Sequence, residues 1–349
     1  VLDRSVQSDF TALKALAGDA TLSILETDAR DRRWLVGLFG DRDRGRYFLW
    51  DRTTKKATPL FEAAPALKKW TFAKMDTVTL RASDGLPLPC YLTLPAGVPA
   101  RNLPLVVNPH GGPWFRDVWG WNPEVQWLAN RGYAVLQVEF RSSIGFGKAH
   151  MNAGDGQFGP GHVLQDLVDA TKWAVDRGIA DPKRIGIMGW SFGGYSTLAG
   201  LAFHPEMFAC GVDGVGPPDL GALIESFPPY WSSRRKRWIT RMGDVVADSA
   251  LNRRLSPLYH LDTLRAPLLI GHGANDPRVK LVHSETIVKA MRAKGLDVTF
   301  IVYPDEGHGF GRMENNRDFY GRAEDFFAKH LGGRAEAWKA VPGSTAQVR

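Results

Sequence analysis

The chain has 349 residues, 44% of them apolar and 23% charged, close to the averages of soluble globular chains, which excludes disordered, collagen-like and coiled-coil readings. At roughly 150 residues per domain, the length fits one large domain plus something extra. Forty-four Lys and Arg against 37 Asp and Glu leave +7, which raises nucleic-acid binding, but the one dense basic run, Arg234 to Arg237 with Arg241 nearby, carries no nucleic-acid motif and reads as a solvated surface segment.

The first ten residues, VLDRSVQSDF, contain no apolar core of a signal peptide, and the chain begins without Met, which leaves upstream processing open. Four short strand candidates follow: Thr21 to Leu25, Trp34 to Gly40, Arg46 to Asp51 and Ala57 to Phe61. Four strands in about 40 residues is the size of one β-propeller blade. One blade cannot bury both faces alone, so it must pack on the larger domain, a partner or further blades. An ordinary antiparallel extension is the other reading of residues 1–77. The pattern has no second copy in the chain.

From Val78 onward, apolar runs alternate with helical patterns, as in a mostly parallel sheet covered by helices. Eight strands are expected: Val78 to Leu80, Cys90 to Leu94, Leu105 to Asn108, Ala134 to Glu139, Arg184 to Met188, Cys210 to Val215, Leu268 to Gly271 and Val298 to Tyr303. The middle ones are continuous apolar runs, as strands buried on both faces require. Helices are expected over Pro123 to Asn130, His162 to Asp176, Phe192 to Phe203, Leu281 to Lys294 and Arg322 to His330, and residues 334–349 read as a frayed tail. Cys90 and Cys210 fall inside strand runs and read as buried thiols. No stretch reaches the roughly 18 to 20 apolar residues of a membrane span. A soluble chain of cytoplasm or periplasm is expected, with the compartment undecided and a homo-oligomer left open.

The strongest chemical signal is Gly189-Trp190-Ser191-Phe192-Gly193-Gly194, placed between a strand and a helical run. This is the G-x-S-x-G nucleophile elbow, whose glycines admit a turn too sharp for side chains beside the serine. A serine hydroxyl needs a base to take its proton and a carboxylate to orient that base, in the chain order Ser, Asp, His. Asp276, in GANDPRV after the strand at Leu268, and His308, in DEGHGF after the strand at Val298, supply both at the same sheet edge. Asp305 is the rival acid, but it stands only three residues from His308. His272 belongs to a strand end, and His283 and His330 to helical runs. For the oxyanion hole the donors are the backbone N–H of Phe192 and that of Gly112 in His110-Gly111-Gly112-Pro113. Gly154 to Gly159 fits G-x-G-x-x-G formally, but no strand precedes it, and it reads as a loop. No nucleotide-binding or metal-ligand spacing appears, so neither cofactor nor metal is expected.

Together, GWSFGGY, HGGP, GANDPRV and DEGHGF resemble the prolyl oligopeptidase family of serine peptidases, particularly its acylaminoacyl-peptidase and dipeptidyl-aminopeptidase-like branch, over roughly residues 78–333. The segment Phe140 to Gly147 also resembles a family segment, with Ser142 where a glycine is commoner. The resemblance implies an α/β-hydrolase catalytic domain capped by a β-propeller, with residues 1–77 similar to its last blade. In the dipeptidyl peptidases the propeller supplies the acids that hold a substrate's amino terminus, so exopeptidase specificity carries over to no residue here. The segment Ile224 to Trp231 resembles the insertion near the specificity pocket. Phe227, Tyr230 and Trp231, with Tyr195 of the elbow motif, are pocket candidates; ordinary packing is the competing reading. The expected activity is hydrolysis of amide bonds in short or N-blocked peptides through an acyl-enzyme on Ser191. A carboxylesterase acting on small acyl esters is the alternative, and a non-catalytic binding protein is the rival from another class.

Overall fold

The computed structural model describes residues 2–349. Helix α1 (Gln7–Ala17) comes first, then the antiparallel strands β1 (Thr21–Thr27), β2 (Arg33–Phe39), β3 (Arg46–Asp51) and β4 (Lys56–Glu62), ordered β1-β2-β3-β4. Alternation along β2 sends Trp34, Val36 and Leu38 to one face, where Trp50 of β3 joins them against Leu13 and Ala17 of α1. The sequence reading had no helix before Thr21. Its anchor is Asp9, fully buried, which accepts from Trp50 Nε1 at 2.9 Å and pairs with Arg52 at 3.2 Å and Lys55 at 2.5 Å. The small sheet is tied to the rest through Asp41, which accepts from the Met75 N–H, and Gln126, which donates to the Asp41 and Ala73 carbonyls.

The large sheet starts at Met75 rather than Val78, with β5 (Met75–Arg81) and β6 (Pro87–Thr93). In chain order the rest are β7 (Leu103–Val107), α2 (Pro123–Asn130), β8 (Ala134–Val138), α3 (Lys148–Asn152), α4 (His162–Asp176), β9 (Ala180–Trp190), α5 (Phe192–Phe203) and β10 (Cys210–Gly214). Then come α6 (Leu220–Glu225), α7 (Ser232–Met242), α8 (Ser249–Leu255), β11 (Leu268–Gly273), α9 (Val282–Ala293), β12 (Val298–Tyr303), α10 (Met313–Leu331) and β13 (Gln347–Val348). The strand order is β13-β12-β11-β10-β9-β7-β8-β6-β5. Strands β7 to β12 run parallel, and the contacts of β5, β6 and β13 are antiparallel.

Both faces are covered. Leu103, Leu105 and Val107 of β7 pack with α4, α5 and α9, while Val106 points the other way, into the layer of α2 and α10. This explains why the middle strands read as unbroken apolar runs. The sheet is an α/β-hydrolase sheet of nine strands rather than eight. The ninth comes from the expected frayed tail, which instead runs back along α10. Glu324 accepts from the Glu336 N–H and Asn315 from the Thr345 N–H, and Gln347–Val348 then pairs with the open edge of β12. An unpaired strand edge is a ready template for such an addition. Cys90 and Cys210 are buried free thiols. Among the described residues no helix is long and apolar enough to cross a membrane.

Candidate active site

Strand β9 ends at Trp190 and α5 begins at Phe192, so the whole reversal falls on Ser191, held at φ 59° and ψ −115°. That region is costly for a residue with a Cβ, on the order of 1–3 kcal/mol, and the surroundings enforce it. The Ser191 N–H donates to the Gly214 carbonyl at 2.7 Å, and the Tyr195 N–H donates back to the Ser191 carbonyl at 2.9 Å. The glycines are steric requirements. A Cβ on Gly189 would lie 2.5 Å from the Gly193 backbone, one on Gly193 2.2 Å from the Pro109 oxygen, and one on Gly194 2.2 Å from Asp213 Oδ1.

Asp276 and His308 sit on the loops after β11 and β12, which touch: the Asn275 N–H donates to the Glu306 carbonyl, and a Cβ on Gly273 would lie 2.3 Å from the Gly307 oxygen. His308 Nδ1–H donates to Asp276 Oδ2 at 2.7 Å, leaving Nε2 as the free nitrogen of the ring. Burial pushes the Asp276 carboxyl up, but the bond and charge of His308 and the N–H groups of Val279 and Arg278 outweigh it and hold the group below its ordinary value. Asp305 is occupied elsewhere, by Arg312, Asn315 and Thr345.

Two supporting groups escaped the sequence reading. His272 donates from Nε2 to the Val279 carbonyl at 2.8 Å and accepts at Nδ1 from Ser284, so it ties down the loop that carries Asp276. Glu306 accepts from the N–H groups of Gly311 and Arg312 and from Asn315, fixing the chain after His308. Their sequence positions, a strand end and a loop, carry no periodic signal.

The loop after β7 passes over the elbow, with Gly111 so near Trp190 that a Cβ would lie 3.1 Å from its oxygen. His110 orients this loop. The Gly111 carbonyl can only accept, so Nδ1 donates to it at 2.7 Å and Nε2 accepts from the Ser143 hydroxyl at 2.7 Å. Burial holds the imidazole neutral, with its pKa lowered to about 4, and it stacks on Phe140 at 4.3 Å. In a trans peptide the C=O and the following N–H point in opposite directions. Holding the Gly111 carbonyl toward His110 therefore turns the Gly112 N–H away from it. Gly112 itself has φ +131°, a region that favours glycine. Ser142 has φ +96°, which gives a steric reason for the glycine commoner at that place; its Oγ fits only because Gly154 has no Cβ. Gly154 to Gly159 lies in turns and loop between α3 and α4.

Ser191, Phe192, Gly112 and His308 line one cavity of about 270 Å³. Phe227 and Trp231 line it too, together with Trp114, Leu223 and Trp238, which the sequence reading missed. Tyr195 and Tyr230 are not on it. The Tyr195 ring is buried, and its hydroxyl accepts from the Gly159 N–H and donates to the Leu255 carbonyl, so it braces the elbow helix from behind. Tyr230 is 78% exposed, because the short 3-10 turn Pro229–Trp231 rotates it outward as it turns Trp231 in. The basic run is exposed as expected, yet it forms the start of α7 and contributes Arg234 and Arg237 to the cavity wall, with Arg278 also present.

The model of the prolyl oligopeptidase family matches residues 119–334. Dipeptidyl aminopeptidase BIII of Pseudoxanthomonas mexicana is 45% identical, the alignment covering 100% of this chain and 52% of that protein. Dipeptidyl peptidase family member 6 of Caenorhabditis elegans is 36% identical over 97% of this chain and 49% of its own length. The chain thus spans about half the length of these relatives. Among solved structures, a puromycin-hydrolyzing peptidase of Mycobacterium tuberculosis superposes with a TM-score of 0.78 at 25% identity, covering 87% of this chain and 47% of that one. An acylaminoacyl peptidase of Pyrococcus horikoshii gives 0.75 at 23% identity, covering 91% and 51%, and shares the fold.

Proposed function

The chain belongs to the prolyl oligopeptidase family, and from that premise we propose that it is a serine peptidase hydrolysing amide bonds of short or N-blocked peptides through an acyl-enzyme on Ser191. The catalytic part is the large-sheet portion from Met75 through the tail strand Gln347–Val348, and the residues before Met75 form a blade-like segment. The observation that carries the reading is the 2.7 Å bond from His308 Nδ1 to Asp276, which leaves Nε2 as the ring's free base, together with the strained Ser191 lining the same cavity as His308.

As the Ser191 oxygen attacks the substrate carbonyl, His308 Nε2 takes the hydroxyl proton, and Asp276 steadies the imidazolium that forms. Negative charge develops on the carbonyl oxygen, where the N–H groups of Gly112 and Phe192 receive it at the positive end of α5. Each such donor typically contributes about 10²–10³-fold in rate. Collapse of this intermediate breaks the C–N bond, and Nε2 hands its proton to the departing amine. Water, deprotonated by the same nitrogen, then releases the acyl group and restores the hydroxyl.

The peptidase reading rests on the family, since a triad alone does not separate amides from esters; the second reading is a carboxylesterase with the same residues. The test compares kcat/KM on acyl-aminoacyl anilides and matched esters. Anilide hydrolysis well above a Ser191→Ala control is expected, and ester hydrolysis without it replaces the peptidase by the esterase.

A further inference from the structure

Arg234, Arg235, Lys236 and Arg237 occupy the first two turns of α7, where physical chemistry disfavours them. Cations at a helix N-terminus oppose its dipole, and like charges three residues apart, as Arg234 and Arg237 are, repel across one face. Arg241, in the last turn, has its partner in Asp155 at 2.9 Å. Among the described residues neither Arg234 nor Arg237 has a carboxylate partner. Packing does not explain them either, because Trp238 and Met242 are the residues of α7 that fill the core.

What the two side chains do share is the cavity of Ser191 and His308. The Arg234 guanidinium carbon lies 4.3 Å from the centre of the Trp231 ring, a cation–π contact that keeps the charged head beside the aromatic wall. No Asp or Glu lines that cavity. A site of aromatic walls rimmed by cations and free of acids suits a substrate that is apolar at one point and carboxylated at the next. Guanidinium matches a carboxylate with two parallel N–H bonds.

We propose that Arg234 and Arg237 form a carboxylate-binding rim on the substrate cavity, so that peptides bearing a carboxylate close to the scissile bond are preferred. The inference rests on the hydrolase reading above. The carboxylate has two sources, an acidic side chain or the free carboxyl terminus of a short peptide.

The experiment uses three N-acetylated peptides of one length: a neutral one with Gln and a C-terminal amide, its Glu counterpart, and its free-acid counterpart. Amine release gives kcat/KM for each. The responding arm, and so the carboxylate source, should exceed the neutral peptide by about ten-fold at low salt, the scale of two partly solvated charge contacts. The preference should shrink as salt is raised, fall to about one in the Arg234→Gln, Arg237→Gln protein, and recover in part in the double Lys variant. Measurable but equal rates in the unaltered protein, or a preference that survives the double Gln variant, overturn the rim. Calorimetric binding of the same peptides to the Ser191→Ala protein separates the two claims. Carboxylate-dependent binding that needs the arginines, with no cleavage of any peptide by the unaltered protein, keeps the rim and removes the peptidase; cleavage without discrimination does the reverse.

Discussion

Gly193→Ala is the substitution that couples the elbow most directly to the oxyanion loop. The added methyl would lie 2.2 Å from the Pro109 oxygen, 3.2 Å from its carbonyl carbon and 3.3 Å from the His110 carbonyl carbon, all backbone. An ordinary contact needs well over 3 Å, so the chain at Pro109 and His110 must retreat by about 1 Å, and Gly111 and Gly112 are carried with it. A displacement of that size in a site of this kind costs about 10²-fold in rate, the same scale as losing one oxyanion donor. The assay is kcat/KM on an activated ester, with melting temperature measured alongside. Gly200→Ala is the matched control on the same helix. The nearest neighbours of its methyl would be the side chains of Phe208 and Ile187, at 3.0 and 3.3 Å, and alanine adds helix propensity of about 1 kcal/mol, so activity should stay near that of the unaltered protein. A folded Gly193→Ala protein retaining more than about a third of the activity would refute the geometric argument.

Ser143→Ala removes the donor that fixes His110, and with it the orientation of the Gly112 N–H; kcat should fall about ten-fold with KM little changed, and a rise in KM at constant kcat would place the effect in ground-state binding instead. Stability should depend on pH through two acids behind the oxyanion loop. Burial, aided by a neighbouring carboxylate in each case, pushes the Glu139 carboxyl up to about 8 and that of Asp117 to about 7. Groups raised in the folded state contribute stability that is complete below their ordinary values near 4 and is lost as pH rises through 7 and 8. The melting temperature should therefore decline from pH 5 toward pH 8.5, with a shallower slope in Glu139→Gln; a flat profile, or an equal slope in the variant, removes the idea.

The candidate site was legible where chemistry imposes a local pattern. Ser191, Asp276 and His308 each follow a strand, and the elbow glycines are dictated by sterics that leave few alternatives, so motif and geometry coincide. The pocket was less legible because it is assembled from short helices whose facing is set by tertiary packing. Nothing in the spacing of Tyr230 and Trp231 tells which of two adjacent aromatics a 3-10 turn will point inward, and Tyr195 looked available only because its brace from Gly159 and Leu255 is non-local. Helix α1 was missed because the acid that anchors it, Asp9, finds its partners more than 40 residues away. The tail read as frayed since its order comes from side chains of α10, not from its own propensity.

The central claim, that acyl transfer runs through Ser191, is tested most directly by mass spectrometry of the intact protein quenched during turnover of a slowly released activated ester, followed by peptide mapping. An adduct of one acyl group on the peptide containing Ser191, absent in Ser191→Ala and accumulating far more slowly in His308→Ala, is the predicted result. Hydrolysis that persists in Ser191→Ala, or an adduct on another residue, would contradict it.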